Sequence, residues 1–292
     1  MEANDGILKA EEMIRKLKGL PPLPVVLSEA LRLTADPLVS YDKVIKIISQ
    51  DPSLSSRLLR IANSPYYGLK QRVTTLQLAL VILGLREFRC ILIGSALLEQ
   101  IKSKNPQYDE LYKKLWRESL FMASFCREFS TKLNSGYKGE DFLTGLLANM
   151  GALLLLNEMP IEYYKLIDES NNDHKKQLSM EQERLGFIHT DLATALLKQW
   201  DIPPFLCDSI WRQYSLEHLS LENAIDRKLS AILRLARYAL IEINEKNEYG
   251  DAIQTSFEII GDNLEDNKNV WKEIKQSKMS ILTQSKINLD DI

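Results

Sequence analysis

The sequence predicts an all-α protein, and three observations carry that prediction. Apolar residues recur at helical spacing in one segment after another. No stretch alternates apolar and polar residues as a half-buried strand does. The 292 residues contain only 12 Gly and 10 Pro, too few for a loop-rich or disordered chain.

The elements follow in order. Ile7 to Leu20 is amphipathic, and Leu20-Pro21-Pro22-Leu23-Pro24 then forces a stiff extended turn, because proline cannot continue a helix. Val25 to Leu33 and Tyr41 to Ser49 each show an apolar face. Asp51-Pro52 is a helix start: the carboxylate can accept free backbone amides, and proline at the first helical position loses nothing by lacking one. Leu54, Leu58, Ile61 and Ala62 form the core stripe of that helix, which Asn63-Ser64-Pro65 ends. Tyr66-Tyr67-Gly68 reads as a turn, with Thr74 or Thr75 capping the next helix. Gly84 separates that helix from another running from about Arg86 to Gln100.

Leu111 to Leu133 is a long amphipathic helix, followed by a turn at Gly136 and Gly139. Asp141 to Leu156 is the most hydrophobic helix, limited by Pro160. A polar loop, Glu169 to Lys176, is expected before a helical pair from Met180 to Trp200. Pro203-Pro204 opens a helix through Tyr214, and Glu222 to Ile243 is long and apolar on one face. The stretch from about Asn263 is polar and reads as a peripheral helix with a frayed tail. The expected organisation is an N-terminal bundle over residues 1–105, a second bundle over 106–220, and C-terminal helices over 221–292 that pack on the second bundle.

Hydrophobic residues make up 45% and charged residues 26%, ordinary for a globular protein, and the net charge is −3. That balance argues against general nucleic-acid binding, which needs a basic excess. Cys90, Cys126 and Cys207 are sparse and form no CxxC pair, which suits a reducing, cytoplasmic setting. The longest apolar run, Leu76 to Leu98, carries Arg86, Glu87 and Arg89 at its centre, so no membrane span is expected.

Several motifs carry a resemblance: Leu20-Pro-Pro-Leu-Pro24, Asp51-Pro-Ser-Leu54, Leu58-Leu-Arg-Ile-Ala-Asn-Ser64 and Ala79-Leu-Val-Ile-Leu-Gly-Leu85. Trp116-Arg-Glu-Ser119, Gly145-Leu-Leu147 with Gly151, and Gly186 with His189 and Trp200 continue it in unbroken order. From about Met13 to Ser215 the chain resembles the HDOD family. The resemblance implies a helical bundle of HD-like architecture preceded by an N-terminal helical subdomain. It also implies a signalling output domain related to the HD metal-dependent phosphohydrolases but without their catalysis.

HD chemistry needs several imidazoles and carboxylates converging on divalent ions that activate water and clamp phosphate. By the resemblance, the first histidine position falls at Glu118, the His-Asp pair at Ala148-Asn149, and the terminal aspartate near Ala236-Arg237. His189 is retained, and no histidine stands near Trp211 to Tyr214. Independently of any family, His174, His189 and His218 are the only histidines, with His174 read in a polar loop and His218 in a charged turn. A histidine-rich dinuclear centre cannot be built from these, and Arg237 adds a fixed positive charge. The expectation is therefore no metal, no cofactor and no catalytic residue.

Other readings stay open beside that one. His189 is a surviving ligand or, preferably, a structural histidine satisfied across helices. Glu118 and Asn149 hold an oxygen-loving ion or, preferably, pack as polar side chains. Asn63 and Ser64 contact a ligand or, preferably, only end their helix. Between Ser55 and Cys90 the cations Arg57, Arg60, Lys70, Arg72, Arg86 and Arg89 face one acid, Glu87, a local surplus of five. Arg57, Arg60, Asn63, Ser64, Arg86 and Arg89 are thus the candidates for binding a phosphorylated ligand or acidic partner. Scattered arginines on different faces are the plainer alternative. The function expected is bacterial signal transduction by binding, with another signalling protein as partner and a nucleotide as a possible ligand. The rivals are a single-metal phosphohydrolase using Glu118, Asn149, Asp141 or His189, and a nucleotide sensor.

Overall fold

The computed structural model describes residues 2–16, 23–63, 71–100, 104–214, 224–245, 250–261 and 264–283. Among the described residues the regular structure is entirely helical. The first half comprises α1 (Glu2–Lys16), α2 (Val25–Thr34), α3 (Tyr41–Ile48), α4 (Pro52–Ala62) and α5 (Leu76–Gln100). After a 3-10 turn at Pro106–Tyr108 come α6 (Asp109–Lys132), α7 (Glu140–Leu147), α8 (Met150–Glu158), α9 (Pro160–Ser170) and α10 (His174–Leu185). The chain continues through α11 (His189–Gln199), α12 (Pro204–Trp211), α13 (Ala224–Glu245), α14 (Gly250–Ile260) and α15 (Leu264–Thr283).

Local chemistry places several ends as expected. The Asp51 carboxylate accepts from the Leu54 amide at 2.9 Å, with Pro52 in the first helical position. Thr75 takes the cap before α5, accepting from Leu78 N at 3.1 Å. Gly84 has φ +77° and ψ 164°, so α5 is two helical segments joined at a break only glycine adopts without strain.

Four expectations are corrected. Asp141 to Leu156 is not one helix, because the chain turns at Ala148-Asn149 between α7 and α8. The turn lets α8 lie on α11 so closely that a Cβ at Gly151 would stand 1.8 Å from the His189 carbonyl oxygen. The loop expected over Glu169 to Lys176 shrinks to Asn171-Asn172-Asp173, where two asparagines take positive φ (56° and 61°) and Asp173 caps α10. Asparagine reaches that left-handed region more readily than other side chains, so the turn closes in three residues. His174 therefore heads α10 rather than lying in a loop. Lastly, α15 is not peripheral: it packs on α6, with Trp271 and Ile274 buried and Trp271 Nε1 donating to the Leu235 carbonyl at 3.0 Å.

One hydrophobic cluster runs from Ala10 in α1 to Ile274 in α15. Its axis is α6, which lies along α7, α13 and α15 and buries Phe121, Phe125 and Phe129 completely. α1 seats Ile7, Ala10 and Ile14, spaced three and four apart, against α11. α5 bridges the halves, contacting α2, α3 and α4 on one side and α7 on the other.

Candidate functional site

Helices α6, α7, α8, α11, α12 and α13 converge where the HD resemblance places its metal centre. Asn149 stands at the turn between α7 and α8, Arg237 in mid-α13, Gln213 just past α12, and His189 at the start of α11. Glu118, on α6, is buried. Arg237 is only 5% exposed, and its guanidinium is the hub. Nη2 donates to Asn149 Oδ1 at 2.6 Å and to Gln213 Oε1 at 2.6 Å, while Nε donates to Gln213 Oε1 at 2.8 Å. Asn149 Nδ2 donates onward to the Leu115 carbonyl of α6 at 3.0 Å, and Gln213 Nε2 to the Ala148 carbonyl at 3.0 Å. One planar, permanently charged group thus ties α6, the α7–α8 turn, α12 and α13 together.

His189 occupies the adjoining corner. Its Nδ1 lies 2.8 Å and 3.0 Å from the two oxygens of Glu181, which is fully buried, and its Nε2 meets the Tyr214 hydroxyl at 3.2 Å. Glu181 also accepts from the Tyr163 hydroxyl at 2.8 Å, Gln177 Nε2 at 2.9 Å and the His189 amide at 2.8 Å. Burial pushes this carboxyl up, but the His189 charge and these donors outweigh it and hold it below its ordinary value. The Tyr214 ring lies under the Arg237 guanidinium at 5.3 Å and stacks on His174 at 6.0 Å. Burial pushes the Tyr214 hydroxyl up to about 12, so it stays protonated. Nearby, burial raises the Asp191 carboxyl despite donors at Ile188 N (2.9 Å) and Trp211 Nε1 (2.8 Å).

The donor set does not suit a divalent ion. Where ligands would converge stand an alanine, two carboxamides already engaged, and a guanidinium whose charge repels cations. Among the described residues, no group of three or more His, Cys, Asp or Glu could hold a metal. His189 keeps the carboxylate partner that metal-binding histidines use, yet the nitrogen left to ligate faces a phenol.

The structure thus unites Ala148, Asn149 and Arg237, with His189 linked to them through Tyr214. Sequence reasoning missed Glu181, Gln213 and Tyr214 as members of this network. Nothing local marks them, since Glu181 is one acid among many and the other two follow the last turn of α12.

The arginine candidates divide. Arg86 and Arg89 line a cleft of about 1110 Å³ between the break in α5, the start of α7 and the start of α12. Arg57 and Arg60 sit on α4, outside that lining. Asn63 closes α4: Nδ2 donates to the Leu59 and Val73 carbonyls and Oδ1 accepts from Val73 N, all at 2.7 Å. Ser64, Lys70 and His218 lie outside the described residues. No helix among the described residues is long and apolar enough to cross a membrane.

Comparison with known proteins completes the assignment. The chain is 29% identical over 166 residues to the cyclic di-GMP phosphodiesterase CdgJ of Vibrio cholerae, a stretch covering 56% of this chain and 37% of CdgJ. It is 23% identical over 211 residues to an uncharacterized protein of Treponema pallidum, covering 72% of this chain and 40% of that one. The chain therefore spans less than half the length of these curated relatives. An HDOD domain protein of unknown function from Geobacter sulfurreducens has the same fold, with a TM-score of 0.73 at 21% identity over 96% of this chain and 97% of that one. The sequence profile of the HDOD domain matches residues 20–216, a span that includes α2 to α12. The chain belongs to the HDOD domain family.

Proposed function

We propose that this protein is a non-catalytic signal-transduction regulator that works by binding, with its degenerate HD-like centre serving as a structural hub. The observation that carries the reading is the Arg237 guanidinium, hydrogen-bonded to Asn149 and Gln213 where a metal enzyme gathers its ligands. A fixed cation there stabilises the helix junction and disfavours a second positive charge in the same place. The partner is another signalling protein. Three buried, unpaired thiols support work in a reducing, cytoplasmic compartment.

A second reading has one observation in its favour. The Glu181–His189 pair is the arrangement that orients a metal-ligating imidazole, and CdgJ is named a phosphodiesterase. The two readings separate in one assay. The purified protein is loaded with Mn²⁺, Fe²⁺ or Mg²⁺, dialysed, analysed for metal, and incubated with cyclic di-GMP and bis(p-nitrophenyl) phosphate. The expected result is no stoichiometric metal and no turnover above that of the His189→Ala variant. Metal-dependent hydrolysis that His189→Ala abolishes would establish the enzyme instead.

A further inference from the structure

We propose that the cleft at the break in α5 binds a nucleoside phosphate, with Arg89 receiving the phosphate. This cleft is separate from the Arg237 hub, so ligand binding here does not depend on whether the hub is catalytic. The inference deepens the reading that the protein acts by binding, and names the ligand class.

The cleft, at about 1110 Å³, is large enough for a mononucleotide or dinucleotide. Its walls come from elements far apart in sequence: the end of α2, the α5 break, the Tyr137–Glu140 turn into α7, and Pro203–Leu206 opening α12. Most of the lining is apolar, and it includes two aromatic rings, Tyr137 and Phe205, both half-buried, on which a base can stack.

Charge decides the other end of the ligand. Arg86 and Arg89 stand three residues apart on the segment that Gly84 begins, and so share a helix face. Arg86 is satisfied: its Nε and Nη2 each reach Glu140 Oε1 at 2.8 Å. Glu140 is used up in turn, its second oxygen accepting from the Lys138 amide at 2.6 Å. Behind this wall Arg127 engages the neighbouring acids, Asp141 at 3.2 Å and Glu87 at 3.5 Å. Arg89 Nε is buried without a hydrogen-bond acceptor, and the Glu140 carboxylate, engaged by Arg86, acts on this guanidinium through its charge. Desolvation makes that costly, and an anion entering the cleft would supply the missing acceptor. The Lys138 side chain, exposed at the rim, adds a second cation.

Isothermal titration with GMP, AMP and their cyclic dinucleotides tests this, with guanosine and dihexanoyl phosphatidic acid as comparison ligands. Arg89→Gln and Lys138→Gln are assayed beside the parent. The expected result is saturable binding of at least one nucleotide, none of guanosine, and affinity about tenfold or more weaker in Arg89→Gln, the loss typical of a charge-assisted hydrogen bond. Lys138→Gln, exposed and safe for folding, should weaken binding by a smaller factor. The proposal is overturned if no nucleotide binds at 1 mM, on the order of the weakest meaningful affinity. It is equally overturned if phosphatidic acid binds and nucleotides do not, or if both variants bind as the parent does. Failure here leaves the metal and turnover assay unaffected.

Discussion

Replacing Arg237 with methionine tests whether the guanidinium hub holds the helix junction. Methionine fills much of the same volume, so the cavity contribution is small and the polar contribution dominates. The substitution strands two buried acceptors, Asn149 Oδ1 and Gln213 Oε1, which Arg237 approaches at 2.6 Å. Each orphaned group costs about 1–3 kcal/mol, and relief from burying a charge offsets part of that. The net expected loss is about 2–4 kcal/mol, or a fall of roughly 4–16 °C in Tm for a chain of this size. Urea unfolding followed by tryptophan fluorescence reads it directly. The double variant Arg237→Met, Gln213→Leu removes one stranded acceptor and should lose less than the sum of the two single changes. A single variant as stable as the parent, or strict additivity in the cycle, would refute the hub.

Three further outcomes follow from the same geometry. The Glu181 carboxyl is held below its ordinary value of 4.5 in the folded state. Its stabilisation is thus fully present above that pH and lost as pH falls through the lower folded value. Glu181→Gln should therefore flatten the loss of urea midpoint between about pH 5 and pH 3, and an unchanged acid limb would contradict the assignment. Gly151→Ala would press a methyl against the His189 carbonyl, where a Cβ stands 1.8 Å away. α8 and α11 must then part, lowering stability by about 3 kcal/mol or more in a thermal melt, and a tolerated alanine would show that the contact is looser. Asn63→Ala removes three hydrogen bonds at 2.7 Å, two that tie the end of α4 to Val73 and one to the Leu59 carbonyl within the helix. It should cost about 1–3 kcal/mol and speed hydrogen exchange at the Val73 amide, which otherwise keeps its protection.

What could be read from the residues alone was whatever is decided within a few positions of itself. Asp51 with Pro52 starts α4, Gly84 breaks α5, and the apolar stripes choose the faces that go inside, because caps and helical periodicity act locally. The scarcity of histidine, three in the whole chain, is likewise plain in the composition, and it bounds the chemistry before any fold is known. The tertiary structure decided everything that joins distant positions. Asn149 and Arg237 meet across 88 residues, and Gln213 completes their network from the end of a third helix. Glu181 becomes the partner of His189 only because the turn at Gly186, between α10 and α11, brings the head of α11 back to the end of α10. Arg89 and Phe205 line one cleft because α5 and α12 both pack on α7, and neither side chain carries a mark of the other. The division has one physical cause: helix formation is governed by neighbours in sequence, whereas the choice of which polar groups are buried together is made by packing, which turns on the shapes of whole faces.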